Sequence, residues 1–145
     1  MENKAAIDAI RKMYKGNPTA VQLEALELAY VALRGKNKGA LIKNKLAYIC
    51  SPYRGNAYQR IRNVAYARHI TKAALGLGYT PIATHLYLPQ LLNDGMPAQR
   101  RRGLKAGKDI LRTCGTIIIG ARYGISEGMA AEIRAAAGKD AIIII

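Results

Sequence analysis

The sequence is poor in the residues that build metal sites and disulfides. Only two cysteines and two histidines occur among its 145 residues. Cys50 and Cys114 lie at the edges of apolar runs, and His69 and His85 are widely separated from them and from each other. Structural zinc sites take four ligands from closely spaced Cys and His residues, so a metal site is not expected. We interpret the cysteines as buried, reduced thiols of a cytoplasmic protein.

Long hydrophobic runs and acidic side chains are also scarce. No apolar run approaches the roughly 20 residues of a membrane-spanning helix, and the N-terminus lacks the charged-then-apolar pattern of a secretory signal. We therefore expect a cytoplasmic protein without a membrane partner. Nine acidic residues stand against 23 basic ones, a net charge of +14. Such an excess attracts nucleic acids, nucleotides and other polyanions; a basic surface without a dedicated partner is the alternative.

Phenylalanine and tryptophan are absent, although the sequence contains nine tyrosines. Half of the residues are nevertheless hydrophobic, which indicates a globular rather than a disordered chain. A chain of this length is large enough to bury a hydrophobic core.

Strand and helix patterns alternate after residue 45. We predict strands over 46–50, 79–84, 115–120 and 141–145, helices near 56–76, 98–113 and 127–137, and a loop over 85–97. Repeated strand–helix units indicate a parallel sheet covered on both faces. The N-terminal part differs, because apolar residues at helical spacing over 4–34 predict a helical hairpin followed by a basic connector. We therefore predict two units, over 1–44 and 45–145.

The first candidate site follows strand 46–50 and has the sequence Ser51-Pro52-Tyr53-Arg54-Gly55. Ligands of open parallel sheets bind at the carboxyl ends of the strands. The start of the next helix can bind an anion, Arg54 is a two-pronged donor for phosphate, and Gly55 allows close approach or a positive φ. Ser51, Tyr53, Arg54 and Gly55 are therefore candidate substrate-binding residues. The alternative is an ordinary turn in which Ser51 and Pro52 start a helix.

The second candidate site follows strand 115–120 and has the sequence Ser126-Glu127-Gly128-Met129-Ala130-Ala131-Glu132. Ser126 is a suitable N-cap, and Gly128 keeps the first helical turn open to a ligand. Because helical side chains tilt toward the N-terminus, the Glu132 carboxylate can reach the rim of the sheet. A carboxylate there can act as a nucleophile, as in retaining glycosidases. Glu132 is thus the candidate catalytic residue, and Ser126, Gly128 and Met129 are candidate substrate-binding residues; the alternative for Glu132 is a surface ion pair.

A third candidate region follows the second strand at the same rim. His85 and Tyr87 are suited to hydrogen bonding or stacking with a base, and Asp94 is suited to orienting a sugar or a leaving base. A packed loop without function is the alternative. The three regions together predict a nucleotide site.

Two other enzyme classes lose support from the same motifs. The first loop is neither a Walker loop nor a G-x-G-x-x-G turn, which disfavours an ATPase and a Rossmann dinucleotide enzyme. The segment Gly124-Ile125-Ser126-Glu127-Gly128 has the letters of an esterase nucleophile elbow, but that fold needs a histidine after the serine. Both histidines precede Ser126.

Three segments of this chain resemble the nucleoside 2-deoxyribosyltransferase-like superfamily, and most closely its small phage and bacterial domains of uncharacterised function. The segments are 48–55, 81–90 and 124–133. The resemblance implies a flavodoxin-like α/β fold of four to five strands, a nucleotide at the strand tips, and a dimer or larger homo-oligomer. It also implies that the Ser-x-Gly-x-x-x-Glu arrangement places Glu132 as the nucleophile. Ser51, Arg54 and Gly55 resemble the 5′-phosphate loop of deoxynucleotide N-glycosidases.

The resemblance also implies an acidic residue at the start of the strand before the second loop, where this chain has Gly115. Asp94 and Asp109 are candidate replacements. Three hypotheses follow: cleavage or exchange at the N-glycosidic bond of a deoxynucleoside or its 5′-monophosphate, nucleotide binding without turnover, and nucleic-acid binding. No cofactor is expected for any of them.

Overall fold

The structure, a computed structural model, describes residues 44–145. Its elements in chain order are β1 Leu46–Cys50, α1 Ala57–Gly76, β2 Thr80–Ile82, a 3-10 turn Thr84–Leu86, α2 Leu88–Leu91, α3 Pro97–Thr113, β3 Thr116–Gly120, α4 Glu127–Ala135 and β4 Asp140–Ile144. The strands form one parallel sheet in the order β2-β1-β3-β4. The predicted flavodoxin-like α/β fold is confirmed, with four strands in the described residues. The predicted N-terminal hairpin and most of its connector lie outside them.

The two central strands are buried on both faces, which explains their continuous apolar sequences. Successive side chains of a strand point to opposite faces of the sheet. Ala47 and Ile49 therefore pack with α1, whereas Tyr48 and Cys50 pack with α3 and α4. This alternation decides that Tyr48 lies on the same face of the sheet as α4. Among the described residues, no helix is long and apolar enough to cross a membrane.

The first helix begins later than an ordinary Ser-Pro turn would place it. Asn56 is the N-cap of α1 and forms a capping box with Gln59, since each side chain bonds the backbone N–H of the other residue. The alternative in which Ser51 and Pro52 start the helix is therefore wrong. Residues 51–55 form a separate loop between β1 and the helix. The Ser51 side chain therefore does not cap this helix.

Two predicted boundaries near β2 differ from the structure. The strand is shorter than predicted, and it contains Pro81, which cannot donate to a ladder and is tolerated because β2 lies at the edge of the sheet. The predicted loop over 85–97 contains the 3-10 turn and the four-residue helix α2. Elements this short show no periodicity in the sequence.

The sheet order brings the loops after β1 and β3 side by side. These strands are direct neighbours, with Cys50 paired to Ile119. From β1 the chain moves outward to β2, whereas from β3 it moves outward to β4, so the crevice between the two loops is a topological switch point. The first and second candidate sites therefore meet at one rim, as predicted.

Candidate functional site

The carboxylate of Glu132 points toward the sheet rather than into solvent. Its Oε1 accepts a hydrogen bond of 2.9 Å from the hydroxyl of Tyr48, in the middle of β1. The same hydroxyl lies 3.0 Å from Oγ1 of Thr84, which is buried. We call Tyr48, Thr84 and Glu132 the carboxylate cluster. The alternative of a surface ion pair for Glu132 is wrong in this structure.

The surroundings of Glu132 make its carboxylate more basic than usual. Burial raises the pKa of Glu132, while the hydrogen bond from Tyr48 acts in the opposite direction. Burial together with the neighbouring Glu132 raises the pKa of both Tyr48 and Cys50. These two groups therefore stay protonated at neutral pH. Tyr48 donates to the carboxylate, whereas Cys50 Sγ donates to the backbone carbonyl of Met129 at 3.8 Å. The cluster therefore provides one oriented, desolvated carboxyl group.

Ser51 and His85 form a second polar contact at the rim. Ser51 Oγ and His85 Nε2 lie 2.8 Å apart, and Ser51 is buried. Burial lowers the pKa of His85 to about 4, so its imidazole is neutral at pH 7. Tyr53 lies beside it, with the ring centroids 6.3 Å apart. The structure therefore brings together Ser51, Tyr53 and His85 from two of the predicted regions.

An open groove of about 820 Å³ runs between the first loop and the segment before α3. Tyr53, Arg54 and Gly55 line one side, and Asp94 lies on the other. Arg54 Nη2 is 3.7 Å from Asp94 Oδ2, and both side chains are about half exposed. An incoming phosphate would compete with Asp94 for this guanidinium. Four predicted binding residues, Tyr53, Arg54, Gly55 and Asp94, thus line one groove.

Gly55 has a structural reason to be glycine. Its φ is 150°, in the range that side chains rarely adopt, and an added Cβ would lie 2.5 Å from Oε1 of Gln59. The glycine is therefore required by the capping box of α1. The geometry also permits a ligand to approach the backbone closely at Gly55, but it does not require one.

The second candidate loop is built as the sequence predicts. Ser126 is the N-cap of α4, and its Oγ accepts from the backbone N–H of Met129 at 3.2 Å. Gly128 is exposed, and Met129 is buried in the core. Met129 therefore supports the site through packing, whereas Gly128 and the N-terminus of α4 face solvent.

Not every predicted residue joins these clusters. Tyr87 is exposed and lies outside the set of groove-lining residues. Asp109 lies on the exposed surface of α3, where it pairs with Lys105 and Arg112, so it is no substitute acid at the rim. Asp94 is the one of the two candidate replacements that lines the groove.

Gly115 lies at the wrong end of the sheet to affect the rim. Its backbone N–H donates to Leu46 O, at the first residue of β1, whereas the rim begins after Cys50. Four residues of strand separate these positions by about 13 Å. An acidic side chain at position 115 would therefore not reach a ligand at the rim, and its absence here does not argue against catalysis.

Several residues of the site were not singled out from the sequence. Tyr48 and Thr84 belong to the carboxylate cluster but look like core residues in the sequence. Tyr123 lies in the loop before Ser126 and is exposed. The guanidinium carbon of Arg62, from α1, lies 3.9 Å from the centroid of the Tyr123 ring. The signal that could have found Tyr48 is a tyrosine inside an otherwise aliphatic buried strand, because its hydroxyl needs a partner there.

Among residues 44–145, no group of three metal-ligating side chains comes together. The carboxylate cluster and the groove instead offer an oriented carboxyl group and a half-exposed guanidinium. In a comparison with protein families, residues 45–145 match the family described as Domain of unknown function (DUF7768). No curated protein and no solved structure matches the chain.

Proposed function

This chain belongs to the DUF7768 family of domains of unknown function, and we propose that it cleaves or exchanges the N-glycosidic bond of a deoxynucleoside 5′-monophosphate. The resemblance of its loops to nucleoside 2-deoxyribosyltransferase-like proteins suggests this substrate class. The proposal is carried by one observation, the hydrogen bond that directs the Glu132 carboxylate onto Tyr48 beneath the rim.

Each residue of the site has a role in this proposal. Glu132 attacks the anomeric carbon, the base leaves, and a glycosyl ester forms, which water or an acceptor base then resolves. Arg54 and the first loop bind the 5′-phosphate. His85 and Ser51 contact the base or the sugar. Tyr48 donates to the carboxylate and so favours its ionised, nucleophilic form.

Glu132→Gln tests the nucleophile directly. The amide keeps the shape of the side chain but lacks the charge and the nucleophilic oxygen, so release of free base should fall by at least about a thousandfold. The assay is chromatography of products after incubating the pure protein with deoxynucleosides and their 5′-monophosphates. Adding an acceptor base distinguishes transfer from hydrolysis.

Glu127→Gln is the matched control, because Glu127 is an exposed acid in the first turn of the same helix. It should cleave at the rate of the unaltered protein. If Glu132→Gln retains full activity, Glu132 is not the nucleophile. If the unaltered protein releases no base from any substrate, the glycosidase proposal fails.

Nucleotide binding without turnover is the second candidate. It is favoured by the lining of the groove, which includes Arg54 and Asp94 but not Glu132, so a nucleotide can occupy the groove without contacting the carboxylate. Nucleoside monophosphates would then raise the melting temperature of the protein without any product. Arg54→Ala should abolish that increase, and an equal increase in the variant would contradict binding through Arg54.

A homo-oligomer is the proposed state in solution. The resemblance implies it, and α1 exposes three large apolar side chains, Tyr58, Ile61 and Leu75, that a second copy would cover. Light scattering of the pure protein gives the number of copies. A monomer at all concentrations would contradict this part of the proposal.

A further inference from the structure

Helix α3 carries a stripe of four basic side chains on one face. Arg101, Lys105, Lys108 and Arg112 follow one another at intervals of four, three and four residues, which places them on the same side of an α-helix. All four are exposed, and the Lys105 and Arg112 side chains are 78% and 76% exposed. We call these residues the α3 stripe.

The stripe is separate from the buried side of the helix and from the candidate site. Gly107 and Leu111 anchor α3 to the core, and the exposed stripe lies on another face of the helix. Asp109 is the only acidic residue in α3. Its carboxylate binds both Lys105 and Arg112, the latter at 3.1 Å.

The remaining two charges of the stripe are available to a partner. Among the residues that the structure describes, no acidic side chain pairs with Arg101 or Lys108. Arg100 and Arg102 lie beside the stripe and are also exposed. Within residues 44–145, the N-terminal half of α3 therefore concentrates positive charge without an acidic partner.

We infer that the α3 stripe binds the phosphate backbone of double-stranded DNA without reading its sequence. The stripe spans eleven residues, or about 16 Å at 1.5 Å per residue, and duplex DNA carries one negative charge per about 1.7 Å of its axis. The length therefore matches several successive phosphates. Proteins that bind single strands add aromatic side chains for base stacking, whereas α3 contains none. This inference does not depend on the glycosidase proposal.

The first test measures binding of the full-length protein to a fluorescent 20-base-pair duplex by anisotropy at several salt concentrations. Four phosphate contacts, from Arg101 and Lys108 of the stripe and from the adjacent Arg100 and Arg102, predict that the logarithm of the association constant falls with the logarithm of salt with a slope of about −3 to −4. Replacing Arg101 and Lys108 together by Glu should weaken binding by at least about tenfold and flatten this slope. A slope near zero would overturn the inference.

The matched control replaces Arg68 and Lys72 by Glu. These exposed residues of α1 lie on the other face of the sheet, and the change in net charge is identical. Binding by this variant should change less than about threefold if the contact is local to α3. Equal losses in both double variants would show an effect of net charge alone and would overturn the α3 site.

Asp109→Asn gives a test with the opposite sign. The substitution releases Lys105 and Arg112 from their carboxylate partner, so duplex affinity should rise by several-fold. Glu127→Gln makes the same charge change on α4 and should alter affinity less. The inference fails if Asp109→Asn binds no more tightly than Glu127→Gln, or if a single strand of the same length binds as tightly as the duplex.

Discussion

Burial alters the protonation of Glu132 and His85 in opposite directions. Burial raises the pKa of Glu132 and lowers that of His85 to about 4. Both shifts oppose the charged form of the side chain. The free energy of unfolding therefore falls as pH rises from the ordinary pKa of Glu132 to its folded pKa, because the buried carboxyl group ionises less readily than the same group in the unfolded chain.

His85 makes the stability of the fold dependent on pH. Its pKa of about 4 lies below the ordinary value of 6.5, so the unfolded chain binds a proton more readily between these values. The free energy of unfolding should therefore fall as pH drops from 6.5 to 4, by at most about 3 kcal/mol from this group. His85→Gln should remove that part of the pH dependence.

Urea denaturation at several pH values measures this effect. His69→Gln is the control, because His69 is the other histidine of the chain and is exposed on α1. The control should keep the pH dependence of the unaltered protein. If His85→Gln shows the same slope between pH 4 and 6.5 as the control, burial of a neutral His85 is not what destabilises the fold in acid.

At the scale of elements, β3 lies in tight contact with α1 at Gly120. An added Cβ there would collide with Cδ1 of Ile70 and would lie 2.9 Å from Cε1 of Tyr66. It would also lie 3.2 Å from Cβ of Ser51, at the rim. The absence of a side chain at this position thus sets the distance between helix and sheet next to the candidate site.

Gly120→Ala should destabilise the protein by about 1 to 3 kcal/mol, because the packed core must shift to admit a methyl group. Gly76→Ala is the control, since an added Cβ at the end of α1 meets nothing within 4 Å. Helix propensity alone makes that change neutral or stabilising by up to about 1 kcal/mol. Thermal and urea unfolding of the two variants compare them, and a Gly120→Ala variant as stable as the parent would contradict this packing.

At the scale of the whole molecule, charge is strongly unbalanced. Basic residues outnumber acidic ones by 23 to 9. Within the described residues, Asp109 forms ion pairs with Lys105 and Arg112, and Asp94 forms one with Arg54. Most of the positive side chains therefore repel one another across the surface, and such self-repulsion destabilises a compact state.

Screening this repulsion should stabilise the fold. Raising sodium chloride from 0.05 to 0.5 M shortens the Debye length from about 14 Å to about 4 Å, so the free energy of unfolding in urea should increase. Lys72→Glu lowers the net charge by two and should reduce the response to salt. Stability that falls as salt is added would show that the ion pairs, rather than the repulsion, dominate.

Much of the architecture follows from local patterns. The parallel α/β sheet was predicted from the apolar runs at 46–50 and 116–120, from the helical segments, and from the breaks that separate the runs from those segments. Ser126 was likewise predicted as an N-cap, because capping is decided within four residues of chain. By contrast, α2 and the 3-10 turn are too short for their periodicity to appear in the sequence.

The sequence alone determined the order of strands and helices and the residues at the carboxyl ends of β1 and β3, since hydrophobic periodicity and capping act between near neighbours. Only the tertiary structure decided which of those residues meet. Tyr48 and Glu132 are 84 positions apart, and Ser51 and His85 are 34 apart. Their contacts depend on the sheet order and on the face to which each strand residue points. Those two properties arise from packing of the whole domain, and for this reason the contact between Tyr48 and Glu132 is visible only in the folded chain.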